Sequence, residues 1–134
     1  MFRRIDATIS VSGQIRPEDV ATAAAQGVTM IVNNRPDGEQ PGQPDSAEIE
    51  AAARAAGLDY RYIPVAGLSQ GQVAKMADAL DAASGPVLAF CAAGTRSTYL
   101  WALAKASQGA DVADLERKAA AAGYDLAPIR RHLG

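Results

Sequence analysis

Apolar and polar positions along the chain follow two rhythms, one of strands and one of helices. Ile5, Ala7, Ile9 and Val11 alternate with polar neighbours across residues 5–15, the period of a half-buried strand, which Gly13 ends. Val28-Thr29-Met30-Ile31-Val32 is β-branched with little alternation, as expected of a strand covered on both faces. Tyr60, Tyr62 and Pro64 around Arg61 and Ile63 predict a third strand that runs out at Val65–Leu68, and Pro86–Phe90 predicts a fourth. Between them the spacing turns helical. Pro17 suits a first helical turn, Glu18 and Asp19 its positive end, and Gly27 a stop after Gln26. Asp45 and Glu48 have capping-box spacing ahead of a helix over Ala47–Ala56, with Gly57 after it. Ser69 and Gln72 repeat that spacing before Val73, Met76, Ala77 and Leu80, one apolar face of a third helix. Beyond Phe90 only helices are expected: about Ser97–Ser107, then Val112–Ala122 capped by Asp111 and stopped by Gly123, then a short one started by Asp125.

Strands alternating with helices imply an α/β domain with a four-stranded, mostly parallel sheet, helices on both faces and an all-helical C-terminal part. Such sheets carry their sites at the carboxyl ends of the strands. Three segments leave those ends: Cys91–Ser97, the Pro- and Gly-rich stretch Asn33–Pro44, and Val65–Ser69. The second is long for a plain connection, and loops of that length often serve a site.

Composition narrows the chemistry. The 134 residues suffice for one core, and a hydrophobic share of 49% with 21% charged residues is that of an ordinary globular domain. A net charge of −2 provides no general field for nucleic acid or anionic lipid, so any anion must be captured locally. One cysteine and one histidine exclude an internal disulfide and any Cys/His metal cluster, and no cofactor is implied. Without an apolar leader or a membrane-length run, a cytoplasmic protein is expected.

The chemistry concentrates in Cys91-Ala92-Ala93-Gly94-Thr95-Arg96-Ser97, which follows a strand and opens a helix. A lone cysteine is most often a small buried hydrophobe. A thiol at a helix amino end beside an arginine is different, because unpaired N–H groups and the fixed cation both favour the thiolate. The small residues Ala92, Ala93 and Gly94 let the backbone wrap closely around a guest, and Arg96 supplies a planar fork for oxyanions. Ser97 is either the N-cap of the helix or a hydrogen-bond partner of the sulfur. Cys91, Arg96 and Ser97 are therefore the candidate catalytic residues, with Ala92–Thr95 and, on the long loop, Asn34, Arg35 and Asp37 as candidate substrate contacts. Arg35 and Asp37 also have plainer readings, a surface cation and a turn-stabilising carboxylate.

The loop resembles the active-site loop of cysteine phosphatases and of rhodanese-type sulfurtransferases. The wider pattern, Ser10–Gln14, Val32–Glu39, Tyr62–Val65 and Gly94–Ser97, resembles the bacterial phosphatase-like domain of beta-lactamase hydrolase-like proteins over the chain up to about Ala106. That resemblance implies a dual-specificity-phosphatase-like topology and an association with persulfide dioxygenases and sulfide oxidation. Tyrosine and dual-specificity phosphatases carry five residues between Cys and Arg, a His before the Cys, and an Asp general acid after a strand like Tyr62–Val65. Here there are four residues, Phe90 and Ala66-Gly67. The four-residue spacing resembles rhodanese. The expectation is therefore sulfane-sulfur transfer through a Cys91 persulfide, with a persulfide dioxygenase as partner. The alternatives are a phosphatase acting through phosphocysteine on a small anion or a phosphoprotein, and a non-enzymatic redox or anion-binding module.

Overall fold

The computed structural model describes residues 2–134 as one five-stranded sheet between two layers of helices. The strands are β1 Arg3–Asp6, β2 Ile9–Ser12, β3 Met30–Asn33, β4 Asp59–Tyr62 and β5 Val87–Phe90, in the spatial order β1-β2-β5-β3-β4. All pairings are parallel except β1 with β2. The helices are α1 Pro17–Ala25, α2 Ser46–Ala55, α3 Gln70–Ala82, α4 Thr95–Ser107 and α5 Val112–Ala121, followed by a 3-10 segment over Ala127–His132. Among the described residues, no helix is long and apolar enough to cross a membrane.

The single first strand expected over residues 5–15 is instead a hairpin, which raises the strand count from four to five. Its cause is local. Asp6 Oδ1 accepts from the Thr8 N–H at 2.8 Å and from Thr8 Oγ1 at 2.6 Å, so the carboxylate closes a turn that apolar alternation conceals. The last helix, expected from Asp125, is a 3-10 segment; the Asp125 carboxylate accepts from the Ala127 N–H at 2.9 Å. The capping-box helices begin as expected, with Asp45 accepting from Glu48 N and Ser69 from Gln72 N.

β5 is the central strand, and alternation along it divides the core. Leu88 and Phe90 face α1 and α2, packing with Val20, Ala23, Ile31, Ile49 and Ala53. Val87 and Ala89 face the other layer, with Met76 of α3, Leu100 and Trp101 of α4, and Leu115 of α5. Both faces are sealed, which explains why the strand reads as a continuous apolar run. Its carboxyl end is consequently fixed from two sides, and Cys91 begins where the fixed part stops. Leu88 is fully buried, so Leu88→Ala is expected to lower stability by about 2–5 kcal/mol, whereas Leu68→Ala, at a site 39% exposed, should stay within about 0.5 kcal/mol. Urea unfolding of the two variants checks the contrast.

Candidate active site

The chain passes from β5 to α4 through Cys91–Gly94, and Gly94, not Ser97, is the N-cap of the helix. Gly94 has φ +88°, the left-handed region that favours glycine, and a Cβ there would run into the Tyr124 hydroxyl. The Gly94 carbonyl accepts from the Thr98 N–H at 3.0 Å and from Thr98 Oγ1 at 2.8 Å. The Gly94 N–H donates to Cys91 Sγ at 3.1 Å, placing the sulfur against the start of the helix. The N–H groups of Thr95, Arg96 and Ser97 belong to the first helical turn and have no partner within the helix. The thiol is 1% exposed, while Ala92, Ala93 and Thr95 lie at the surface.

Neighbouring elements hold the loop's outer atoms. Cys91 N–H donates to the Ser12 carbonyl at 3.2 Å, and Gln14 N–H to the Ala92 carbonyl at 3.4 Å. Tyr124 Oη donates to the Ala93 carbonyl at 3.1 Å, and the Arg3 guanidinium lies over the Tyr124 ring, 5.6 Å from its centroid. Tyr124 thus ties the all-helical end of the chain to the loop. The sequence alone gave it no role, because it reads as an ordinary aromatic after a helix stop.

Ser97 is buried, and its hydroxyl donates to Asn34 Oδ1 at 2.8 Å. Asn34 is itself fixed, since its Nδ2 donates to the Ile63 carbonyl at 3.0 Å and that oxygen only accepts. The single hydroxyl proton of Ser97 is therefore committed away from the sulfur. Asn34, expected at the substrate, instead joins α4 to the ends of β3 and β4.

The plain reading fits Asp37 and fails for Arg35. Asp37 Oδ1 accepts from the Ser46 N–H at 2.8 Å and its own N–H donates to Tyr62 Oη at 2.9 Å, so the residue closes the long loop onto α2. Arg35 is 5% exposed, not a surface cation. Its Nε donates to Glu39 Oε1 at 2.9 Å and its Nη1 to Gln14 Oε1 at 3.1 Å.

Glu39 is the member of the site that spacing did not single out. Its two oxygens accept from Arg96, Oε2 from Nη1 at 2.8 Å and Oε1 from Nη2 at 2.9 Å. Arg96 Nη1 also donates to the Val65 carbonyl at 2.8 Å. Hydrogen bonds from Arg96, and then from Arg35, hold the Glu39 carboxyl down at about 2 against an ordinary 4.5. The same bond raises the Arg96 pKa, with the nearby Cys91 adding to the effect. A carboxylate bridging two cations far apart in sequence leaves only one trace there, its place four residues after Arg35.

A family model described as "Beta-lactamase hydrolase-like protein, phosphatase-like domain" matches residues 1–108. The chain belongs to that family. It is 38% identical over 133 residues to a beta-lactamase hydrolase-like protein of Agrobacterium fabrum, an alignment that takes in 97% of this chain and 31% of that protein. The domain thus spans about a third of the length of that curated relative. Among solved structures, a candidate phosphatase from Neisseria meningitidis Z2491 superposes with TM-score 0.84 at 33% identity, covering 98% of this chain and 94% of that one. PTPMT1 superposes with TM-score 0.73 at 12% identity, covering 99% and 96%, which fixes the fold as that of cysteine phosphatases. These likenesses make this a phosphatase-like domain and side with the phosphatase alternative over the sulfur-transfer reading.

Two outcomes test the geometry. Asn34→Ala removes an acceptor and a donor from buried partners, and a loss of about 1–3 kcal/mol is expected by denaturant unfolding. Glu39 has a folded pKa below its unfolded one, so the stabilisation it provides is complete above the unfolded value of 4.5 and is lost as pH falls through about 2. Carboxyl-carbon NMR titration should place the Glu39 midpoint near 2, and Glu39→Gln should flatten the acid limb of the stability profile.

Proposed function

We propose that the domain is a phosphoric monoester hydrolase in which Cys91 attacks phosphorus and a phosphocysteine forms and is hydrolysed. The observation that carries this reading is the junction of Cys91 with α4: a sulfur held by the Gly94 N–H at 3.1 Å, beneath a first helical turn of unpaired donors and beside Arg96. A helix amino end and a guanidinium together stabilise charge on the equatorial oxygens as the phosphoryl group is transferred. In the first step the S–P bond forms, the P–O bond to the leaving group breaks, and that oxygen departs with the electron pair. In the second, water attacks phosphorus, the S–P bond breaks, the thiolate returns and inorganic phosphate leaves. The Gly94 N–H, rather than the committed Ser97 hydroxyl, supports the sulfur as it regains its charge.

Protonation of the leaving oxygen sets the substrate class within this reading. The position after Tyr62–Val65 is Ala66-Gly67, Asp37 is engaged with Ser46, and Glu39 is held as an anion by two guanidinium groups. Water is left as the proton source. Phosphate esters of acidic leaving groups, phenols above all, then suit the site better than alkyl phosphates.

The four-residue interval between Cys91 and Arg96 supports a second reading, sulfane-sulfur transfer, in which the Cys91 thiolate takes sulfur from a donor, forms an S–S bond and releases the donor's anion. One pair of measurements separates the two. Aryl phosphate turnover is expected in the wild type, with loss by a factor of about 10³ or more in Cys91→Ser, as for removal of a nucleophile. Under the sulfur reading, intact mass after incubation with thiosulfate would instead show a gain of one sulfur dependent on Cys91, with no phosphatase activity.

A further inference from the structure

The contacts of Arg96 can be counted donor by donor. A guanidinium has five N–H groups. Glu39 takes one from each terminal nitrogen of Arg96, at 2.8 and 2.9 Å, and the Val65 carbonyl takes the second from Nη1 at 2.8 Å. Three donors are thereby used, all on the end of the fork and its Nη1 side. The two that remain, on Nε and on Nη2, are parallel and lie along one edge, spaced to meet two oxygens of one anion.

The holder is itself held. Glu39 Oε1 also accepts from Arg35 Nε at 2.9 Å, and the Arg35 side chain, 6% exposed, is anchored by Gln14 and by its own backbone N–H on Asn33 Oδ1. Asn33 is the last residue of β3 and its Nδ2 donates to Tyr60 Oη of β4. A continuous set of hydrogen bonds thus runs from two strands of the sheet, through Arg35 and Glu39, to the guanidinium of Arg96.

We propose that Glu39, braced by Arg35, is a positioning residue that orients Arg96 so that its Nε–Nη2 edge meets the substrate oxyanion. The low Glu39 pKa agrees, since a permanent anion holds a cation throughout the working pH range and has no proton to give. The arrangement differs from an internal blocker. A blocking carboxylate would occupy the edge that the substrate uses, whereas Glu39 occupies the end of the fork and leaves that edge open. This inference rests on the anion capture of the proposed function but not on which group is transferred.

The test measures anion binding and turnover separately. Orthovanadate and inorganic phosphate are titrated calorimetrically into wild type, Glu39→Gln, Glu39→Ala and Arg35→Lys, with thermal unfolding run on each. Orthovanadate affinity is expected to fall at least tenfold in Glu39→Ala and by less in Glu39→Gln, which keeps one acceptor and nearly the same volume. Arg35→Lys, whose target is Glu39 rather than substrate, should fall in between. Aryl phosphates of graded phenol acidity are then compared, and the dependence of rate on leaving group should be the same in Glu39→Gln as in wild type. Unchanged affinity in folded Glu39→Gln and Glu39→Ala overturns the proposal. So does tighter binding, which would make Glu39 a competitor for Arg96, and so does a rate loss confined to the least acidic phenols, which would make it a proton donor. Wild type that binds neither anion overturns it as well. Wild type that binds orthovanadate but turns over no phosphate ester removes the phosphatase reading and leaves the role of Glu39 standing on the binding data.

Discussion

The structure turns on one geometric requirement: the chain must leave the buried end of β5 and enter α4 within the four residues Cys91–Gly94. A strand end and a helix beginning can meet that closely only if one residue reverses the backbone, and Gly94 at φ +88° does so. The turn leaves carbonyls on the outside and N–H groups of the helix start on the inside. Each of the outer carbonyls of Ala92 and Ala93 is taken by a different part of the chain, Gln14 after β2 and Tyr124 after α5. The loop is shaped by its own glycine and kept in that shape by distant segments, so residues from both ends of the chain hold a site built on the start of α4. Leu88 and Phe90 lock the strand from one face, and Leu100 and Trp101 lock the helix from the other.

Charge is arranged by the same economy. Burying a guanidinium is costly unless it is paired and hydrogen-bonded. Arg35 and Arg96 share a single carboxylate, so the three groups together keep one net positive charge at the carboxyl edge of the sheet. In a chain of net charge −2 that local excess is the attraction for an anion on which the proposed function relies, and it sits beside the loop rather than spread over the surface. The Val65 carbonyl is the third support of Arg96 and the point where the segment after β4 reaches the site. The segment that resembles the acid loop of cysteine phosphatases thus reaches the site here through its backbone.

Much of this was legible in the sequence wherever the signal was local. The helices announced themselves by capping residues such as Asp45 and Asp111, and β3 and β5 by β-branched or apolar runs covered on both faces. Cys91 and Arg96 were legible because strand, small residues and helix follow each other without a gap. What escaped was set by contacts across the fold or by competition between equal local signals. The hairpin at Asp6–Thr8 was hidden because alternation continues through its turn, while the decisive hydrogen bonds come from one short side chain. Ser97 looked like an N-cap because serine favours that position, but three residues earlier a glycine had already supplied the reversal. Glu39, Tyr124 and the pairing of Ser97 with Asn34 join residues 57, 31 and 63 positions apart, respectively, and no periodicity within a segment reports such distances.

The spacing of four residues resembles that of a sulfur-carrying loop, whereas the geometry around Arg96 supports the phosphoryl guest of the proposed function. A terminal sulfane sulfur presents one atom and one charge, for which the Gly94 N–H and its neighbours in the first turn suffice. A phosphoryl group presents three oxygens whose charge grows in transfer, and it needs parallel donors fixed at a set distance from the nucleophile. Here the Glu39 carboxylate, itself anchored by the buried Arg35, holds the end of the Arg96 fork, the orienting role proposed for it. Orientation of a planar fork matters most for an anion that presents several oxygens. The length of the loop sets how large the cradle is, but the number of donors held in fixed directions sets what it discriminates, and that number is read from Glu39 and Val65 rather than from the interval between Cys91 and Arg96.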